Sequence, residues 1–213
     1  DYPAPALAEA DALELDITQA LEDPLRHDIR DRFTLTIDPA DARDFDDAIS
    51  VEPLDEGGYR LAVHIADVSH YVRWGSSLDL AARARGTSVY LADRVLPMLP
   101  EHLSCDICSL RPEEDRLAFT VDMDFDARGM VKVCRMYPSV IRLRVRLSYD
   151  EADALLAGEG DASAPAVSTL AKHVAHAASA GVDLVAFLQA AHKLAELRRA
   201  MRARRGAGDF DTV

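Results

Sequence analysis

Through the first two thirds of the chain, apolar residues alternate with polar ones in short stretches, and from Tyr149 onward they recur every three or four positions. The first pattern predicts half-buried strands and the second amphipathic helices. Phe33 to Ile37, rich in aromatic and β-branched residues, reads as a strand. Ala48 to Val51 and Tyr59 to Asp67 read as two arms of a hairpin or meander about Glu56-Gly57-Gly58. Leu61, Val63 and Ile65 share one face of the second arm, and Ala62, His64 and Ala66 the other. Leu117 to Asp126 and Met130 to Val145 alternate around Ala127-Arg128-Gly129 and predict a long hairpin. A peripheral helix is expected to about Glu22, a helical turn over 24–32 and a short helix from Leu78 to Gly86. Leu96 to Pro100 is extended, because its prolines forbid a helix. Three helices follow at about 149–157, 166–178 and 183–205, separated by Gly160 to Pro165 and by Gly181. Strands first and helices last predict an α+β fold: a mixed or antiparallel sheet with flanking helices. Residues 1–24 read as a helical lead-in and 25–213 as the main domain.

Composition narrows the class. A chain of 213 residues, 49% apolar and 29% charged, can bury a core without disulfides or metal staples. No apolar run approaches the roughly 18 residues of a membrane span, and no charged-then-apolar leader opens the chain. Neither a membrane protein nor a secreted precursor is expected. Cys105, Cys108 and Cys134 are odd in number and too sparse for a disulfide framework, which fits a reducing, cytoplasmic compartment. The formal charge of −13 opposes a general phosphate-gripping surface. Acidic groups also gather cations, however, and a cation can meet a phosphate. The start at Asp1 and the uncapped end suggest part of a longer polypeptide.

Five carboxylates (Asp38, Asp41, Asp44, Asp46 and Asp47) fall within ten residues directly after the first strand, offset only by Arg43. Two ionised carboxylates about 5 Å apart repel by roughly 3 kcal/mol at an effective dielectric near 20, so a converging set needs protons or cations. Hard oxygen donors without nearby His or Cys point to Mg²⁺, with Mn²⁺ as a substitute, rather than zinc. A calcium loop is disfavoured for want of Gly and Glu in register. For all the carboxylates to meet, the backbone must turn between Pro39 and Asp47, with Phe45 and Ala48 facing inward. The bland alternative is a solvated acidic loop.

The run Thr36-Ile37-Asp38-Pro39, continuing through Asp41-Ala42-Arg43-Asp44-Phe45-Asp46-Asp47-Ala48, resembles the active-site signature of the ribonuclease II/ribonuclease R (RNB) family of 3′-to-5′ exoribonucleases. Val63-His64-Ile65-Ala66-Asp67-Val68-Ser69, Tyr90-Leu91-Ala92-Asp93-Arg94-Val95-Leu96-Pro97-Met98-Leu99-Pro100 and Leu103-Ser104 through Cys108-Ser109-Leu110 resemble it in the same order. Arg146-Leu147-Ser148-Tyr149 is a weaker match. The resemblance implies that 25–213 is the N-terminal part of an RNB-type catalytic domain. It implies that Asp38, Asp44, Asp46 and Asp47 are the catalytic acids and magnesium ligands, Asp38 and Asp47 leading in metal binding and Asp46 most critical for turnover. Tyr90 would stack beside the 3′-terminal nucleotide, and Tyr149 would contact RNA further along. The implied reaction is attack of water on a phosphodiester between two cations, releasing nucleoside 5′-monophosphates from single-stranded RNA. Further RNA-binding domains are expected in the full-length protein.

Arg142, Arg144 and Arg146 alternate along the second arm of the long hairpin, where one shared face would track a phosphate backbone. Lys193, Arg198, Arg199, Arg202, Arg204 and Arg205 mark the last helix and read as a solvated face. Cys105-Asp106-Ile107-Cys108 lacks a second C-x-x-C and reads as incidental. Asp122, Asp124 and Asp126 read as a solvent face, and His64 as a packed, hydrogen-bonded histidine. Two rival functions remain: an inactive RNB-type domain that binds RNA or protein, and a structural cation-binding domain.

Overall fold

The computed structural model describes residues 1–91, 93–158 and 165–204. Its strands are β1 (His27–Asp28), β2 (Leu35–Asp38), β3 (Asp47–Pro53), β4 (Tyr59–Ala66), β5 (Val89–Tyr90), β6 (Val95–Leu96), β7 (Asp115–Phe125), β8 (Val131–Arg142) and β9 (Val145–Ser148). Its α-helices are α1 (Ala4–Asp11), α2 (Ile17–Ala20), α3 (Val68–Tyr71), α4 (Ser77–Arg85), α5 (Tyr149–Ala157), α6 (Pro165–Ser179) and α7 (Leu184–Arg204), and a π-helical turn spans Leu103–Ile107. Residues 160–164 of the expected break, Ala92, Arg205 and the side chain of Arg204 lie outside the described residues.

The fold is α+β with a mixed sheet in the order β1-β8-β7-β4-β3-β2-β9, while β5 and β6 form a separate two-stranded ribbon. The pairs β1/β8 and β2/β9 are parallel and the others in the large sheet antiparallel. Only Leu143 and Arg144 separate β8 from β9, although four strands stand between them in the sheet. The sheet must therefore curl until the end of β8 comes beside the start of β2. The Arg144 amide donates to the Thr34 carbonyl at 2.9 Å at that crossing.

Two apolar clusters hold the sheet. Leu35, Val145, Leu147 and Val51 pack with Leu155, Leu184, Phe187 and Leu188 from α5 and α7. A second cluster gathers Leu117, Val140 and Ile141 with Ala6, Ala10, Phe45, Leu78 and Leu103. Full burial of each such leucine or valine is worth about 1.5–3 kcal/mol. A line of polar groups also crosses the buried sheet. The hydroxyls of Thr34 and Ser50 meet at 3.1 Å, Ser50 meets His64 Nε2 at 2.8 Å, His64 Nδ1 meets Thr120 at 2.9 Å, and Thr120 meets Ser139 at 2.7 Å. His64 is fully buried, as a satisfied core histidine should be.

Several expectations need correction. The N-terminal helix does not run to Glu22: Asp16 caps a separate α2 through the Gln19 amide. Nor is it peripheral, since Ala6 and Ala10 are fully buried and Glu9 accepts from the Leu78 amide of α4 at 3.0 Å. The segment 24–32 is not helical but carries β1, whose pairing with β8 is long-range and invisible to local spacing. The long hairpin ends at Arg142, with Val145 already in a different pairing. Asp122 is buried rather than solvent-facing, bonded to Tyr137 and paired with Arg32 at 3.1 Å. Among the described residues no single helix is long and apolar enough to cross a membrane.

Candidate active site

The acidic segment 38–47 leaves the end of β2, turns, and returns into β3. The turn begins where the Ala42 amide donates to the Pro39 carbonyl at 3.1 Å. Phe45 then inserts into the core and is only 8% exposed. Its amide donates to Ser109 Oγ at 3.1 Å, and its carbonyl accepts from the Leu110 amide at 2.9 Å. The Asp46 carbonyl accepts from the Ala66 amide at 2.8 Å, extending the β3/β4 ladder. Burying Phe45 and Ala48 while pinning the intervening carbonyls leaves the aspartates no direction but outward, into one depression.

That depression is a cleft of about 700 Å³, whose lining includes Asp38, Asp41, Asp44, Asp46, Asp47, Tyr90, Arg94, Glu101 and Cys105. Burial pushes the Asp38 carboxyl above its ordinary pKa; Thr36 and Arg146 oppose the shift, and Asp47 and Asp44 add to it. Asp46 is raised too, first by desolvation and then by Asp44, Asp47 and Asp38. Asp38 Oδ2 is buried without a hydrogen-bond partner. An acceptor-rich cleft with an orphaned carboxylate oxygen fits a cation chemically. Among the described residues, however, no three His, Cys, Asp or Glu side chains stand close enough to chelate one as placed.

Tyr90 stands on the β5/β6 ribbon, 66% exposed, and its hydroxyl donates to Asp44 at 3.0 Å. The four aspartates and Tyr90 thus line one cleft. Tyr149 does not line it: it opens α5, exposed, one residue beyond the Asp38/Ser148 strand pair.

The three arginines do not form a shared strand face, because the chain changes strand between them. Arg142 pairs with Asp115 at 3.2 Å on β8. Arg144, between strands, donates to the Arg30 carbonyl at 3.2 Å and lines a smaller cavity of about 270 Å³. Arg146, on β9, donates to the carbonyls of Pro39 and Ala40 at 2.8 and 2.9 Å. On α7, Lys193, Arg199 and Arg202 are exposed and Arg198 is half-buried. Cys108 is buried, its thiol pushed up to about 12 by desolvation, so it offers no thiolate at neutral pH.

Residue-by-residue reasoning did not find the supports of the loop. Ser109 and Leu110 lie in a segment that resembles the family but whose composition suggests no role, and their contacts with Phe45 are long-range. The alternation of Arg142, Arg144 and Arg146 gave no sign that the strand ends between them.

The family model described as the RNB domain matches residues 26–213. Over 158 residues the chain is 50% identical to ribonuclease R of Aquifex aeolicus (strain VF5), a match covering 74% of this chain and 22% of that protein. Among solved structures it resembles Mycoplasma genitalium RNase R in complex with ribose methylated single-stranded RNA, with a TM-score of 0.80 and 31% identity over 96% of this chain and 29% of that one. Yeast Ssd1, described as a pseudonuclease, has a TM-score of 0.59 at 23% identity, covering 75% of this chain and 19% of that one, a likeness of fold alone. The chain thus spans about a quarter of the length of these relatives. With the family model matching almost the whole sheet and the acidic cleft, the chain belongs to the RNB domain family.

Proposed function

We propose that this chain supplies the acidic half of a metal-dependent 3′-to-5′ exoribonuclease site that hydrolyses single-stranded RNA to nucleoside 5′-monophosphates. The observation that carries the reading is the cleft itself: Asp38, Asp44, Asp46 and Asp47 line one cavity, and Asp38 presents a buried oxygen with no partner. In this reading the four aspartates hold Mg²⁺, or Mn²⁺ in its place, as hard oxygen donors without imidazole or thiolate among them. Divalent ions bound there would neutralise charge on the scissile phosphate and favour an attacking water. Asp46 lies among the other three carboxylates, so its loss removes most from the cation's field. Tyr90, largely exposed at the rim, offers a ring face to the terminal base while its hydroxyl holds Asp44. Tyr149 would contact RNA outside the cleft, and the ion pair of Arg142 would have to open before it could reach a phosphate. Residues 25–213 are read as the N-terminal part of the catalytic domain, with further RNA-binding domains in the longer protein. Three free cysteines fit a reducing, cytoplasmic setting.

The test is release of mononucleotides from a 3′-labelled single-stranded RNA by protein carrying this chain, with Mg²⁺ or with chelator, against the Asp46→Asn variant. Turnover should need the metal and fall by at least two orders of magnitude in the variant. Equal rates would refute the reading. One observation favours a second reading, an inactive module that binds RNA: among the described residues no three carboxylates stand at chelating distance as placed. That reading requires RNA affinity that survives chelator, with no mononucleotide released in Mg²⁺.

A further inference from the structure

The acidic loop is clasped near both ends by one side chain. Arg146 lies opposite Thr36 in the parallel β2/β9 pair, two residues before Asp38 on the neighbouring strand. Residues i and i+2 of a strand share a face, so its guanidinium emerges on the side from which Asp38 also projects. Nη2 donates to both the Pro39 and Ala40 carbonyls, at 2.8 and 2.9 Å, where the loop leaves the strand. The same guanidinium lies 5.1 Å from the centroid of the Phe45 ring, where the loop comes back. It is also the cation that opposes the raised pKa of Asp38.

We propose that Arg146 is a positioning residue for the carboxylate loop and not a contact for the RNA backbone. Its Nη2 is committed to two loop carbonyls, its face is turned to Phe45, and its Nε is buried and so closed to a phosphate. A guanidinium so placed holds the two limbs of the loop at a fixed separation, and that separation sets the spread of Asp38 and Asp44 to Asp47. The planar group matters as well as the charge, because Nη2 reaches the carbonyls while the guanidinium plane spreads over the ring, whereas a compact, strongly hydrated ammonium would have to serve both from one atom. The inference rests on reading the four aspartates as cation ligands, but the clasp itself is a statement about loop geometry.

The test compares Arg146→Lys and Arg146→Gln with the parent chain by three readouts. These are amide hydrogen exchange over residues 41–47, Mn²⁺ affinity by calorimetry, and affinity for a single-stranded RNA in chelator. In both variants, loop exchange should accelerate roughly tenfold, and Mn²⁺ affinity should fall by about the 10–100-fold typical of losing a residue that orients metal ligands. RNA affinity in chelator should stay within about twofold. If loop exchange and Mn²⁺ affinity are unchanged while RNA affinity drops, Arg146 is a phosphate contact and the proposal is wrong. Should the Gln variant fail to fold, the Lys variant keeps the charge and loses the planar guanidinium, so its exchange pattern decides. If the parent chain binds no Mn²⁺, the cation reading fails, and loop exchange alone still decides for or against the clasp.

Discussion

Replacing Asp46 by asparagine should make the metal-free protein more stable. Desolvation and then Asp44, Asp47 and Asp38 raise the pKa of Asp46, and an amide of similar shape relieves all of these costs of the charge. Although desolvation of the carboxyl contributes most to that shift, the residue as a whole remains exposed, so screening limits each repulsion to about 0.5 kcal/mol, and three neighbours give a gain of about 1.5 kcal/mol. For a chain of 213 residues that corresponds to a rise in Tm of about 3–6 °C. The pH dependence gives the sharper test. A carboxyl with a raised folded-state pKa keeps its proton longer in the native state. Its destabilising contribution is therefore absent below its ordinary pKa, near about 4, and grows as pH rises through the raised value. His64 acts in the opposite sense: desolvation lowers its pKa from 6.5 to about 4, so the native state loses stability as pH falls through that interval. Both proteins contain His64, and the difference between their melting curves isolates Asp46. Calorimetry in chelator between pH 4 and pH 8 should show the Asn variant ahead at neutral pH and the gap closing towards acid. With saturating Mn²⁺ the order should reverse, since only the parent gains full binding free energy. A variant that melts at or below the parent in chelator at pH 7, or a gap that ignores pH, would refute the electrostatic reasoning.

Three other outcomes follow from particular contacts. Gly58 has φ +94°, and a Cβ there would lie 2.1 Å from the Phe125 carbonyl oxygen, so Gly58→Ala should cost about 2–3 kcal/mol in urea denaturation. Ser50→Ala leaves His64 Nε2 without its partner at full burial and should cost about 1–3 kcal/mol by the same assay, whereas an exposed serine would cost almost nothing. Tyr90→Phe keeps the ring and removes only the bond to Asp44, so RNA affinity should hold, while Tyr90→Ala should lower it by about 1–3 kcal/mol in a fluorescence titration.

Local physics made much of this molecule readable in advance. The alternation of Leu61, Val63 and Ile65 against Ala62, His64 and Ala66 marked β4, and Gly86 closed α4 with φ +77° where its sequence ends. The inward turn of Phe45 followed from an aromatic residue set among acids, which gains by burial only if its neighbours point the other way. What stayed hidden depends on partners distant in the chain. The strand β1 is two residues long and exists only because β8 is beside it. Asp122 looked solvent-facing because its neighbours alternate properly, yet Arg32 and Tyr137 supply charge and hydrogen bonds from elsewhere and allow it to be buried. Arg142, Arg144 and Arg146 have strand spacing, but the spacing persists across a change of strand and so could not reveal it. The aspartates were legible as a set, and their distances from one another were not.

The clasp on the acidic loop joins groups 107 residues apart in the chain. During synthesis Asp38 to Asp47 leave the ribosome long before β9 exists, so early nascent chains carry a dense negative segment with neither Arg146 nor the β9 edge to shape it. The pairing of Asp38 with Ser148 shows that the strand beside the start of the loop is complete only once residue 148 has emerged. Assembly of this cleft is thereby timed by chain length, and a polypeptide truncated before β9 would keep every acidic residue of the signature while lacking the fold that gathers them.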